Sequence, residues 1–154
     1  MARPLQLWRV APLGDHGTVD RVAEASGRWH RGRQPIVYAS STPELAVVEA
    51  LAHLDRPLQP HWLIRLDVRR PLSSLRVRGL PDDWTRRKAV TRAFGHRWLD
   101  DGRSTLLYVP SALMPEAWNV LVATERLRPR QMVARALRRF HFDRSLVDGE
   151  GGKS

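Results

Sequence analysis

The chain has 154 residues and a formal charge of +10, carried almost wholly by arginine, with Lys88 and Lys153 the only lysines. That length suits one domain with a real core, and the charge favours acidic partners: nucleic acid, anionic metabolites or an acidic protein. Absent cysteine excludes disulfides, thiol nucleophiles and cysteine-type zinc sites and fits a cytoplasmic protein, while no apolar run is long enough for a signal peptide core or a membrane span.

Residues 5–10 read as an opening strand, and 11–26 as a loop or a short helical turn around 19–25. Gly27-Arg28-Trp29 marks a turn, Gly32 sits in the loop after it, and Ile36-Val37-Tyr38 reads as a short strand. A helix is expected over 41–54. Ser41 is placed to cap it, Pro43 falls in its first turn and Glu44 at its third position. Leu45, Ala46, Val47, Val48, Ala50 and Leu51 make that helix apolar nearly all round, so it belongs in a core. Glu49 stands in its middle. A carboxylate in such surroundings needs a partner or holds its proton.

Further on, 61–68 alternates as a strand, Pro71 breaks it, and 72–78 is a weaker strand. A second helix is expected over 81–99, with Asp82 and Asp83 in its first turn, Phe94 and Trp98 on one face, and Gly102 after its end. Strands follow at 105–109 and 119–123. Residues 131–139 have helical spacing through Met132, Val133, Ala136 and Leu137, and 140–142 alternates like a terminal strand. Residues 149–154, GEGGKS, read as a flexible tail behind a domain of 1–148. Helices and strands interleave without a βαβ rhythm, which points to a single mixed α+β domain.

Neither GxGxxG nor GxxxxGK[ST] occurs, which argues against a dinucleotide-binding dehydrogenase and a P-loop enzyme. The six histidines show no HExxH or paired spacing, so no metal site is expected. Four residues remain as a chemical set. Arg28 offers a permanent cation with a planar fork for phosphates. Tyr38 offers a ring for stacking and a hydroxyl for orientation. Glu49 can bond a ribose hydroxyl and stabilise positive charge on a sugar, and Ser111 can hold Glu49 or the leaving group. Each also has a plainer reading. Arg28 is then a loop arginine with Arg31 and Arg33 beside it, Tyr38 a packing aromatic, Ser111 a turn residue after Pro110, and Glu49 half of a structural ion pair. Trp29 reads as a wedge under the turn, and Arg9 as a weaker phosphate ligand on the first strand.

The ordered set Leu7-Trp8-Arg9-Val10, Gly27-Arg28-Trp29, Tyr38-Ala39-Ser40, the helix around Glu49, Tyr108-Val109-Pro110-Ser111 and Asn119 resembles the RES domain family. The chain departs from the family pattern at Ser26 and His30, where glycine and asparagine are usual, and after Asn119, where an Asn-Pro pair and a histidine usually follow. The resemblance implies a fold like that of ADP-ribosyltransferases. It also implies the toxin of a toxin–antitoxin pair that consumes NAD as substrate, with no further cofactor. Arg28, Tyr38, Glu49 and Ser111 would be catalytic, with Arg28, Tyr38, Arg9 and Asn119 holding NAD. The acceptor could be water, phosphate or a protein side chain. The implied partner is an Xre-type helix-turn-helix antitoxin, through which alone DNA would be met. A non-enzymatic nucleic-acid-binding protein using Arg69, Arg70, Arg76, Arg78, Arg86, Arg87, Arg135, Arg138 and Arg139 is the competing class.

Overall fold

The computed structural model describes residues 2–12, 23–53 and 59–143. Its frame is one eight-stranded sheet: β1 (Leu5–Pro12), β2 (Ala23–Ser26), β3 (Arg31–Ser40), β4 (His61–Val68), β5 (Ser74–Arg76), β6 (Leu106–Pro110), β7 (Trp118–Ala123) and β8 (Met132–Phe140). The order is β5-β6-β7-β3-β1-β4-β8, with β2 paired to β3. All pairs are antiparallel except β5 with β6. Two helices, α1 (Pro43–Ala52) and α2 (Lys88–Asp101), complete it. The single-domain α+β expectation holds.

Alternation along the central strands fills both faces of the sheet. Val37, Ala39, Val120, Val122, Ile64 and Leu66 meet in one cluster. Ile36, Leu121, Ala123, Leu107 and Val109 point the other way, to Trp29, Trp84 and Trp98. That second cluster seats α2. Gly95 is where α2 presses on the Gly27-Arg28-Trp29 turn: a Cβ there would lie 1.7 Å from the Trp29 carbonyl oxygen.

The sheet is nearly split in two. β1 and β3 share a single registered pair, Trp8 with Ser40, whereas β1 runs beside β4 for its whole length. Arg9 bridges the opening: its Nη1 donates to the Tyr38 carbonyl at 2.8 Å, in place of a ladder amide, and its Nη2 pairs with Glu24 on β2. A cavity lies at this divergence.

Several elements differ from expectation. Residues 132–140 form a strand, not a helix. β8 pairs with β4 from Val68–Met132 to His61–Phe140, and its register shifts between Leu63 and Ile64. Ile64 faces Ala136 and Leu63 faces Arg138, so Leu137 is the extra residue of a bulge. The bulge breaks the alternation and leaves apolar residues at helix-like spacing. Residues 23–26 are strand β2 rather than a helical turn. The second helix begins at Lys88, because a separate 3₁₀ turn at Trp84–Arg86 puts Trp84 in the core against Trp29, ring centroids 5.9 Å apart. It ends as read, with Gly102 in the left-handed region at φ 62°. α1 is capped by Thr42 rather than Ser41: extended Thr42 accepts from the Leu45 amide at 3.2 Å, which sets Pro43 at the first helical position. Nor is α1 deeply buried. Only Leu45 and Ala46 are, and Val48 is 36 % exposed, because one flank of the helix packs on the sheet while another faces the cavity. The expected helix end at Leu54, the start of the turn at 19–22 and the tail lie outside the described residues.

Candidate active site

A cavity of about 590 Å³ opens between β1, the end of β3, α1, the Gly27 turn and the start of α2. That is the size of a small-molecule site. Arg9, Arg28, Tyr38, Glu49 and Asn119 all line it, and Ser111 reaches it through Glu49. The fold thus gathers residues scattered over a hundred positions of sequence.

Glu49 is the most tightly specified of them. Ser111, fully buried after β6, donates its hydroxyl to Glu49 Oε1 at 2.6 Å. Asn119, on β7, donates Nδ2 to the same oxygen at 2.8 Å. Ser111 is itself fixed, because its Oγ accepts from the amides of Leu113 and Met114 at 3.2 and 3.1 Å. Asn119 is fixed by Ser40, whose hydroxyl donates to Oδ1 at 2.8 Å and so turns the amide nitrogen toward Glu49. Among the described residues Glu49 pairs with no arginine. Its Oε2 has no protein partner among the described residues. One oxygen is clamped by neutral donors and the other is left to meet a ligand. Two of the three fixing side chains were legible as Ser111 and Asn119. Ser40 was missed as a site residue, although it closes the Tyr38-Ala39-Ser40 stretch.

Tyr38 does something different from orienting a ligand through its hydroxyl. The hydroxyl accepts from the Trp29 amide at 3.2 Å and sits 2.7 Å from His30 Nδ1. His30 Nε2 lies 3.1 Å from the Glu24 carbonyl, which can only accept, so Nε2 carries the proton and Nδ1 accepts from Tyr38. Burial pushes the Tyr38 hydroxyl pKa far above its ordinary value and lowers that of His30, so both stay neutral. With the hydroxyl spent on the turn, the ring edge and face are what Tyr38 offers the cavity. Gly27 makes room for that ring: a Cβ there would lie 2.6 Å from the ring and its oxygen.

The cations divide by how occupied they are. Arg9 is committed to Glu24 and the Tyr38 carbonyl. Arg28 gives Nη1 to the Thr85 carbonyl at 2.9 Å and keeps its other nitrogens. Arg31 is exposed and does not line the cavity, and Arg33 pairs with Asp100. Among the described residues no group of three or more potential metal ligands occurs, and no helix is long and apolar enough to cross a membrane.

The model of the RES domain family matches residues 6–144. The chain therefore belongs to the RES domain family, and its fold is a mixed sheet with two helices. Toxin Res of Pseudomonas putida is 36% identical over 121 residues, covering 75% of this chain and 81% of that protein. The Prs ADP-ribosylating toxin of a Sphingobium species is 30% identical over 153 residues, covering 91% and 95%. Among solved structures, the M. tuberculosis MbcT–MbcA toxin–antitoxin complex contains a chain with the same fold, at a TM-score of 0.70 and 19% identity over 94% of this chain and 87% of that one.

Proposed function

We propose that this protein is the toxin of a toxin–antitoxin pair and that it depletes NAD by cleaving the nicotinamide–ribose bond. The observation that carries the reading is the Glu49 carboxylate, held at one oxygen by Ser111 and Asn119 and open to a cavity at the other. Nicotinamide begins as a pyridinium and leaves neutral, taking the bonding pair of the C1′–N bond. No acid is needed to protonate it. The task is to stabilise a cationic ribose, and one oriented carboxylate can do that. Glu49 Oε2 would bond a ribose hydroxyl on the cationic sugar, and the Tyr38 ring would wall the base side. A water or phosphate oxygen then forms the new bond at C1′ and its surplus proton passes to solvent.

Transfer of ADP-ribose to a protein is the second reading, favoured by the Sphingobium relative, which is named an ADP-ribosylating toxin. The two share the site and differ only in the acceptor. Incubating the purified protein with NAD, with and without phosphate, tests the proposal. Free nicotinamide with ADP-ribose or its phosphate ester is the expected product. NAD left intact under all conditions, including in cell extract, would end both readings.

A further inference from the structure

Three cations on the cavity wall facing Glu49 have no fully committed partner. Arg9 and Glu24 cancel one another. That leaves Arg28, Lys88 and Arg92 against the single carboxylate of Glu49, all lining the same cavity. Arg92 gives only its Nε, to the Gly27 carbonyl at 3.1 Å, so its two terminal nitrogens carry no partner among the described residues. The Lys88 ammonium makes no hydrogen bond or ion pair among them, although the Lys88 carbonyl accepts from the Thr91 hydroxyl at 3.1 Å. Its place is electrostatically unfavourable: it is the first residue of α2, whose first turn holds no acid and whose start has no side-chain cap. A cation at the positive end of a helix costs stability unless an anion is near.

Arg28 and Arg92 are positioned by each other's elements. Arg28 is tied to the Thr85 carbonyl, Arg92 to the Gly27 carbonyl, and the Thr91 hydroxyl donates to the Arg28 carbonyl at 2.7 Å. These cross-ties hold two guanidinium groups on the cavity wall that Lys88 also lines, each with nitrogens to spare. The surplus of charge of these three cations over Glu49 matches a dianion.

We propose that Lys88 and Arg92, together with Arg28, form a diphosphate-binding subsite that holds the dinucleotide by its pyrophosphate while Glu49 addresses the ribose. The naming of NAD as the occupant rests on the function proposed above. The subsite itself requires only a nucleoside diphosphate. Lys88 supplies a point charge, and the two arginines supply planar forks.

Calorimetric titration with ADP, and with adenosine as the phosphate-free control, tests the subsite. Lys88→Ala is expected to weaken ADP binding by about tenfold, the loss of one charge-assisted contact, to leave adenosine binding unchanged, and to hold or slightly raise the melting temperature of the ligand-free protein. Arg86→Ala removes an exposed arginine that does not line the cavity, and should change ADP affinity by less than about twofold. Absence of ADP binding to the unaltered protein, or equal losses in the Lys88 and Arg86 variants, overturns the proposal. ADP binding that depends on Lys88 in a protein that never consumes NAD would uphold the subsite and remove the reaction. NAD turnover with a KM indifferent to Lys88→Ala would do the reverse.

Discussion

Single residues of this site differ sharply in how free they are, and that ranks their roles. Arg28, Arg31 and Arg33 lie within six positions of one another, yet only Arg28 lines the cavity. Arg28→Ala is expected to weaken NAD binding by about tenfold or more, against less than about twofold for Arg31→Ala or Arg33→Ala. Equal losses, read by titration of each variant, would mean a diffuse basic surface rather than a specific phosphate contact. The sequence exposed Arg28, Glu49, Ser111 and Asn119 because their local settings are distinctive: a glycine turn, an acid amid apolar residues, a serine after a strand-ending proline. It hid Lys88 and Arg92, since a charge on a helix start looks the same whether it faces solvent or a cavity.

At the level of elements, the turn at Gly27 and helix α2 behave as one unit. Gly95→Ala would ordinarily favour a helix by about 1 kcal/mol. Here the new Cβ would meet the Trp29 carbonyl, so overpacking should win and cost roughly 1–3 kcal/mol. Calorimetric melting checks this, and an unchanged or raised melting temperature would show that α2 does not rest on the turn. Beneath the turn, burial lowers the His30 pKa from 6.5, opposed by the Glu24 carbonyl and carboxylate and reinforced by His96 and Arg92. The sign follows from the neutral folded form. Above pH 6.5 neither state binds the proton and stability is full. Below it the unfolded chain takes up a proton that the folded chain refuses, so stability falls as pH drops toward the lowered folded value. His30→Asn can keep an acceptor for Tyr38 and a donor for Glu24 without titrating. Its unfolding free energy, read from denaturant titrations, should therefore decline less than that of the unaltered protein between pH 6.5 and 5.5, by up to about 1 kcal/mol. Parallel declines would place the proton elsewhere. β4, whose Trp62, Ile64, Leu66 and Val68 alternate, was legible for the same reason that β8 was not. A single bulge at Leu137 shifts the side-chain phase by one, and the residues on either side then mimic a helix.

Across the described molecule, part of the arginine excess serves structure. Arg126 donates to the carbonyls of Ser104 and Leu99 and lies over Trp98. Arg76 lies over Tyr108 and Trp118, and Arg65 pairs with Asp67. What remains is a +10 chain whose cavity is lined by cations. An acidic antitoxin segment that enters this cavity should associate faster at low salt and compete with NAD. A complex with the antitoxin seated away from Arg28, Tyr38 and Glu49, or inhibition indifferent to NAD concentration, would sink occlusion. The central claim, however, rests on one carboxylate. Glu49 sits on a half-exposed helix and is bonded, among the described residues, only to neutral groups, so Glu49→Gln removes charge without stranding a described buried cation. The most direct measurement is the rate of nicotinamide release from NAD by the purified Glu49→Gln protein beside the unaltered one. The account predicts a fold with nearly the same melting temperature, retained NAD binding, and turnover lower by about a hundredfold or more. Undiminished turnover would contradict it, and so would a variant that fails to fold, since Glu49 would then be holding the structure rather than the sugar.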